Sequence, residues 1–313
     1  MTKLSDLTTI QVGGTPKELL VANSTDELIT IANRVWDEAQ DWLVIGGGSN
    51  LVINDSIPFL SVIQVATKGI EASGNAVTVQ AGENWHEFVI HANSQGWAGI
   101  ESLAGIPGTV GATPIQNIGA YGQEVSSVIQ SVEFFDYESR ELIVLNTEDC
   151  GFAYRDSVFK RGKKGIVTAV NFVFDAKSPA ELQKTSQDVL SQRKAKGMVL
   201  DATDHDTWSC GSFFMNPFVT PSFARSLPLD APQWEVGDEI KLSAAWLIEH
   251  AGLKKGFSLP NSKAAISTKH ALAITNRGGA TSEQIVELAS FIQTQVGNTF
   301  GIYLVPEPNI IGF

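Results

Sequence analysis

Apolar residues recur along this chain at two alternating rhythms. After the hydroxyl-then-carboxylate run Ser24-Thr25-Asp26-Glu27, residues Leu28, Ile31, Ala32 and Val35 fall at helical intervals, which predicts a helix from about Asp26 to Ala39. Trp42-Leu43-Val44-Ile45 is a short continuous apolar run and predicts a buried strand; Leu51-Val52-Ile53-Asn54 predicts another. Val77 to Gln80 alternates as a strand does. A helix then opens within Asn84 to Glu87, carries Trp85, Phe88, Val89 and Ala92 on one side, and stops at Gly96. From Val128 the pattern predicts a hairpin: Val128 to Phe135, the turn Asp136-Tyr137-Glu138-Ser139, then Glu141 to Leu145. Ile166 to Phe174 predicts a strand, and Ala180 to Lys196 a helix closed by Gly197. Further on, Ala244 to Glu249 predicts a short amphipathic helix. Ser282 to Val296 predicts a longer one, with Ile285, Val286, Leu288, Ala289 and Ile292 on one broad face. The stretch Ile302 to Phe313 predicts strand, break, strand around Pro306-Glu307-Pro308.

Three stretches fit neither rhythm. Gly46-Gly47-Gly48-Ser49-Asn50 follows a strand directly, and side-chain-free residues there let successive backbone N–H groups point at one anion such as a pyrophosphate. The G-x-G-x-x-G dinucleotide spacing is absent. Ala104 to Gly122 mixes repeated glycines and two prolines with apolar residues, so it is both irregular and unsuited to solvent. Such a segment can wrap a flat heterocycle, with Gln116 and Asn117 meeting its polar edges; the alternative is a buried structural loop. In Trp208 to Pro217, Gly211 permits unusual dihedrals, Phe213 and Phe214 anchor the segment, and Pro217 stops a regular ladder. This predicts a rigid platform presenting the Ser212 hydroxyl and the Asn216 amide, although a structural turn is the commoner reading of such a motif alone.

Length and composition narrow the class. At 313 residues the chain exceeds one typical core, and 43% hydrophobic content with 28 Gly and 12 Pro describes an ordinary mixed α and β protein of two or three lobes. Two cysteines, Cys150 and Cys210, support neither a disulfide framework nor a zinc spacing. The opening Met1 to Asp6 has no basic-then-apolar leader, and no apolar run reaches the ~18 residues of a membrane span, so a cytoplasmic protein is expected. A net charge of −12 argues against general nucleic-acid binding.

Against that acidic background the basic residues cluster. Arg155, Lys160, Arg161, Lys163 and Lys164 form one patch, Arg193, Lys194 and Lys196 a second, and Lys254-Lys255 a third; each marks either an anion-receiving cleft or solvated surface. Arg155 lies among the aromatics of Phe152 to Phe159, paired to a carboxylate or aimed at an anionic ligand. Glu307 is held extended between two prolines in an apolar neighbourhood, which raises a carboxylate's pKa unless it is paired and suits proton handling. No metal set is expected, and all five histidines read as structural or surface residues.

The ordered set GGGSNL, GIPGTVGATPIQNIGAYG, YRDSVFK, GSFFMNP and the Pro-Glu-Pro stretch resembles the UDP-N-acetylenolpyruvoylglucosamine reductases over nearly the whole chain. The resemblance implies an α+β fold, a three-lobed FAD-binding flavoprotein of the vanillyl-alcohol-oxidase/PCMH type with a C-terminal α+β substrate-binding lobe. Its expected parts are 1–66 and 67–198 for FAD, 199–303 for substrate, and a 304–313 segment that returns to the first lobe. It also implies reduction of the enolpyruvyl ether of a UDP-sugar with NADPH, by a monomer. By resemblance, Gly46, Gly47, Gly48, Ser49, Asn50 and Leu51, with Ile106, Pro107, Gly108, Gly111, Ala112, Gln116, Ile118 and Gly119, hold non-covalent FAD. Ser212 is the implied proton donor, with Arg155 and Glu307 completing the active site, and Tyr121, Tyr154, Lys196, Asn216 and Lys255 stand on the substrate side.

Two departures from the family pattern are visible. Only Asp175 to Pro179 separates the strand ending near Phe174 from the next helix, where many relatives have a longer segment with a clamping tyrosine. Asn309 stands where many have an arginine. At this level an FAD-linked oxidase of another substrate and a non-redox nucleotide-sugar-binding protein remain open alternatives. A serine hydrolase is disfavoured because Cys210-Gly211-Ser212-Phe213-Phe214 lacks the second glycine of G-x-S-x-G.

Overall fold

The computed structural model describes residues 2–38 and 41–313. Its first sheet is parallel, with Ser61–Val65 in the centre between Glu18–Ala22 and Trp42–Ile45. The helix Thr25–Glu38 connects the first strand to Trp42–Ile45; the predicted last residue, Ala39, lies outside the described residues. Half of the predicted capping box forms at its start: the Glu27 N–H donates to Ser24 Oγ at 3.2 Å, while the Glu27 carboxylate accepts from the Asn23 N–H at 2.8 Å, one residue before the expected partner.

A five-stranded antiparallel sheet follows, in the order Leu142–Asn146, Ile129–Asp136, Gly165–Val173, Ala76–Gln80, Ile70–Ser73. Helices Trp85–Gln95 and Pro179–Ala195 pack against each other. The first presses Trp85 and Phe88 onto Phe172 of the sheet, with ring centroids 6.5 and 5.4 Å apart. Gly96 ends that helix in the left-handed conformation at φ 77°. On the other side Trp36 stacks on Phe135 at 5.1 Å, so the helix of the first sheet shares its apolar cluster with the second. That cluster draws residues from both sides of position 66.

The third region has its own apolar cluster under helices Ala244–His250 and Ser282–Phe300, a small sheet of Phe218–Val219, Glu239–Leu242 and Gln233–Val236, and the hairpin Ala264–Ile266 with Ile274–Asn276. Ile10, Val12 and Val52 insert into this cluster from the start of the chain. Asp55 completes the join, accepting the Gly13 N–H at 3.0 Å through one oxygen and the Ser282 N–H at 2.8 Å through the other.

Two elements differ from the sequence expectation. The second long helix continues to Phe300, because Gly297 is tolerated in its interior and the stop is Gly301 in the left-handed conformation at φ 70°. Ile302 to Val305 forms no ladder strand. Pro306 and Pro308 offer no N–H, so the segment is held at separate points: Met215 N–H to Val305 O at 2.9 Å and Glu307 N–H to Phe213 O at 2.9 Å. Beyond the prolines, Asn309–Ile311 does form a strand, parallel to Leu51–Ile53.

Candidate active site

The three irregular stretches of the sequence meet around one cleft of about 550 Å³. Gly46 to Leu51 forms one wall, entered from strand Trp42–Ile45 and left through Leu51–Ile53. Ile106, Pro107, Gly108, Ala112, Gln116, Ile118 and Gly119 form the facing wall. Ser49 Oγ donates to Pro107 O at 2.9 Å across the join. The walls touch through backbone: a Cβ on Gly47 would sit 2.6 Å from Gly108 Cα, so position 47 has no room for a side chain. Gly111 lies behind the wall, donating its N–H to Ala81 O at 2.8 Å.

At the far end stand the ionisable groups. Arg155 Nε is 3.3 Å from Glu307 Oε1, and Gln116 Nε2 donates to the same oxygen at 3.1 Å. Asn50 Nδ2 in turn donates to Gln116 Oε1 at 2.7 Å, so the glycine loop, the facing loop and the Pro-Glu-Pro segment form one relay. Burial pushes the Glu307 pKa up, and the charges of Arg155 and Lys160 only partly oppose it. Arg155 adopts φ 53°, a left-handed conformation that costs a non-glycine residue ~1 kcal/mol or more. Its guanidinium offsets this by donating to Gly119 O and, at 3.4 Å, to Asn117 O. Asn117 and Tyr121 are left-handed too, at φ 45° and 50°, so backbone strain gathers along this wall.

Ser212 lines the same cleft. It follows Gly211 at φ 76° and precedes the fully buried Phe213, whose N–H donates to Leu272 O at 2.7 Å while its carbonyl accepts the Glu307 N–H. Serine and glutamate therefore ride on adjacent, bonded backbones. Among the described residues Ser212 Oγ has no hydrogen-bond partner, leaving the hydroxyl free to face a ligand.

Tyr121, Lys196 and Asn216 also line the cleft, with Lys196 Nζ 5.8 Å from the Tyr121 ring centre. Tyr154 and Lys255 stand off the wall: the Tyr154 ring packs edge-on against Phe218 at 5.6 Å. Asn309 is on the wall, while Asp175–Ala176 is tied down against Trp97–Ala98 as a two-residue ladder.

Sequence reasoning missed two ionisable wall residues. His270 was expected to be structural or at the surface, yet its imidazole lines the cleft, and burial with the charges of Lys196, Lys255 and Arg193 lowers its pKa to about 4. Arg193 lines the cleft although 92% buried by its 8% exposure, held by Met198 O at 3.0 Å. The available signal for Arg193 was its basic patch; a lone histidine carried none. Of the first patch, Arg161 and Lys163 are paired to Asp156 and Asp136. Among the described residues no cluster of His, Cys, Asp and Glu could hold a metal ion.

Comparison with known proteins agrees with this geometry. Residues 16–144 match the family description "FAD binding domain", and residues 202–311 match "UDP-N-acetylenolpyruvoylglucosamine reductase, C-terminal domain". A flavin cradle joined to that domain defines the class: a flavin-dependent oxidoreductase of α+β fold. The UDP-N-acetylenolpyruvoylglucosamine reductase of Leifsonia xyli is 41% identical, over 99% of this chain and 98% of the relative. That of Cutibacterium acnes is 42% identical, over 99% and 89%. The crystal structure of UDP-N-acetylenolpyruvylglucosamine reductase from Thermus caldophilus superposes with a TM-score of 0.75 at 28% identity, covering 99% of this chain and 98% of that one. The chain belongs to the UDP-N-acetylenolpyruvoylglucosamine reductase family. The Leifsonia alignment runs over 369 positions, more than this chain's 313 residues, so that relative carries segments absent here.

The cleft fits FAD on its own terms. It is concave, of ordinary cofactor-site size, walled by apolar side chains and backbone, and a Cβ at Gly47 would force its two walls apart.

Proposed function

We propose that the chain reduces UDP-N-acetylglucosamine enolpyruvate to UDP-N-acetylmuramate with NADPH, in peptidoglycan precursor synthesis. FAD, when bound, relays the hydride from NADPH to the vinyl carbon of the sugar ether. The observation that carries the reading is the convergence of Ser212, Arg155 and Glu307 on the cleft whose other end is the glycine cradle. Hydride addition leaves a carbanion beside the substrate carboxylate, an enediolate-like dianion. Arg155 meets that charge with its guanidinium, and a protonated Glu307 donates a hydrogen bond to it; one such donor is worth ~10²–10³ in rate. Ser212 delivers the proton to the carbanion, a positioned transfer worth ~10²–10⁴.

The glycine residues 46–48 with Ser49, Asn50 and Leu51, and the wall from Ile106 to Gly119, hold the cofactor; Gly111 supports that wall from behind. Tyr121, Lys196 and Asn216 receive the UDP-sugar directly, and Tyr154 and Lys255 act from the next layer. The same reading divides the chain into 1–66 and 67–198 for FAD and 199–303 for substrate, with 304–313 returned to the first lobe. It makes the protein a cytoplasmic monomer, consistent with the absence of any helix long and apolar enough to cross a membrane among the described residues. Full-length membership in a reductase family favours this function over the oxidase and non-redox readings.

The test is Ser212→Ala. The variant should bind FAD and have it reduced by NADPH at the parent rate, but turn over the UDP-sugar ~10²–10⁴ times more slowly. Parent-like turnover would remove Ser212 from the proton-donor role.

A further inference from the structure

Lys160, like Arg193 and His270, is an ionisable side chain beside this site to which the reduction gives no task. Its Nζ is sealed from solvent, with no hydrogen-bond partner among the described residues. The turn that carries it is tied to the site. Lys160 N–H donates to Ser157 Oγ at 3.4 Å, and that hydroxyl donates at 2.6 Å to the carbonyl of Ile115, the residue before the Gln116 that bonds Glu307.

The local charges do not cancel. Asp156 is paired with Arg161 and Glu307 with Arg155, so in this group of two carboxylates and three cations Lys160 is the cation left over. A buried ammonium without an acceptor is costly, and such a group is tolerated where an approaching anion or a titrating neighbour makes use of its field. Both conditions hold here, since the substrate brings a carboxylate to Arg155 and Glu307 must carry a proton.

We infer that Lys160 is a positioning residue for the reduction: held on the turn whose Ser157 hydroxyl bonds the residue before Gln116, its ammonium sets the pH at which Glu307 takes up its proton and prepares the site for a second negative charge. The inference rests on the proposed role of Glu307. Arg155 and Gln116 bond the Glu307 carboxylate directly, and Lys160, Tyr154 and Cys210 are the other ionisable groups within its electrostatic reach. Burial raises Tyr154 above its ordinary value and Cys210 to about 12, so neither titrates near neutrality. The ionisable groups within reach of Lys160 are Glu307, Asp156 and Arg155; burial carries its own pKa below the usual lysine range despite the two carboxylates.

Lys160→Met tests this in the holoenzyme. Methionine keeps the length of the side chain and removes the charge. With one of its two opposing cations gone, the Glu307 pKa rises, so the Glu307-dependent limb of the pH profile of kcat/KM for the UDP-sugar moves up by about one pH unit. Reduction of bound FAD by NADPH keeps its parent rate, and Lys160→Arg keeps the parent profile. The thermal midpoint of Lys160→Met does not fall, because the lost group had no partner to leave behind. A limb that stays in place, or a marked drop in midpoint, overturns the inference. Glu307→Gln separates the two layers of argument. If it turns over the sugar like the parent, the reading of the site fails; if it is impaired while Lys160→Met leaves the limb unmoved, only the role of Lys160 fails.

Discussion

The glycine cradle makes a quantitative demand that Gly47→Ala tests. The added Cβ would lie 2.6 Å from Gly108 Cα and 3.1 Å from its carbonyl carbon, where ordinary carbon contacts are ~3.5–4.0 Å. Both obstructing atoms are backbone, so no side-chain tip can swing away, and the two walls must part by about 1 Å. Overpacking of this kind costs ~1–3 kcal/mol. If the cost falls on the closed cradle, FAD affinity drops about 5- to 150-fold, at ~1.4 kcal/mol per factor of ten. The assay is the visible flavin absorbance of the purified variant per mole of protein, followed by fluorescence titration of the apoprotein with FAD. Gly74→Ala is the control, since Gly74, although left-handed at φ 67°, has open space around its would-be Cβ. It should lose some stability and keep FAD. A Gly47→Ala protein with parent flavin content and affinity would refute the assignment of this junction to the cofactor.

Two further outcomes follow from the fold. Asp136 is buried, which pushes its pKa up. The Lys163 ammonium at 2.7 Å and the N–H groups of Ser139 and Glu138 outweigh this and hold it below the ordinary carboxylate value. Its contribution to stability is therefore present above the unfolded pKa of ~3.9 and lost as pH falls through the lower folded value. Asp136→Asn should cost ~1.5–3 kcal/mol at neutral pH, and the gap in urea midpoint between variant and parent should close as pH falls below the unfolded pKa of ~3.9. Gly297 sits inside the helix Ser282–Phe300 with the nearest atom to its would-be Cβ, Ile302 O, at 3.9 Å. Gly297→Ala should raise stability by ~0.5–1 kcal/mol, measured by the same denaturation, with activity unchanged.

Much of the secondary structure was legible because it follows local rules. Apolar spacing and capping residues located the helix beginning at Thr25, and the run Trp42 to Ile45 marked its strand to the residue. The errors arose where local rules compete: the helix expected to end at Val296 runs on through Gly297 to Phe300, and Ile302 to Val305 has strand composition but no neighbour able to ladder with a proline-broken segment. The candidate site was legible only in pieces. Gly46 to Leu51, Ser212 and Glu307 lie far apart in the sequence, and no spacing rule joins them; the family resemblance did so before the structure placed them on one cleft. Inward-facing basic residues were the hardest to read. Arg193 and Lys160 belong to sequence patches that also contain surface lysines, and which member turns inward depends on contacts made by distant loops. His270 gave no local sign at all, since its low pKa comes first from burial and then from three cations, all brought about by folding.

The strand Asn309–Ile311, laid beside Leu51–Ile53, also fixes an order of events during synthesis. A ribosome makes the cradle loops, the arginine turn and the serine platform well before it reaches Glu307, and earlier regions can fold while the rest is still being made. Until that carboxylate emerges, Arg155 and Gln116 have no partner at this position and the Leu51 strand lacks its neighbour. In the proposed mechanism, the residues that hold the cofactor are thus made before the carboxylate that serves the chemistry.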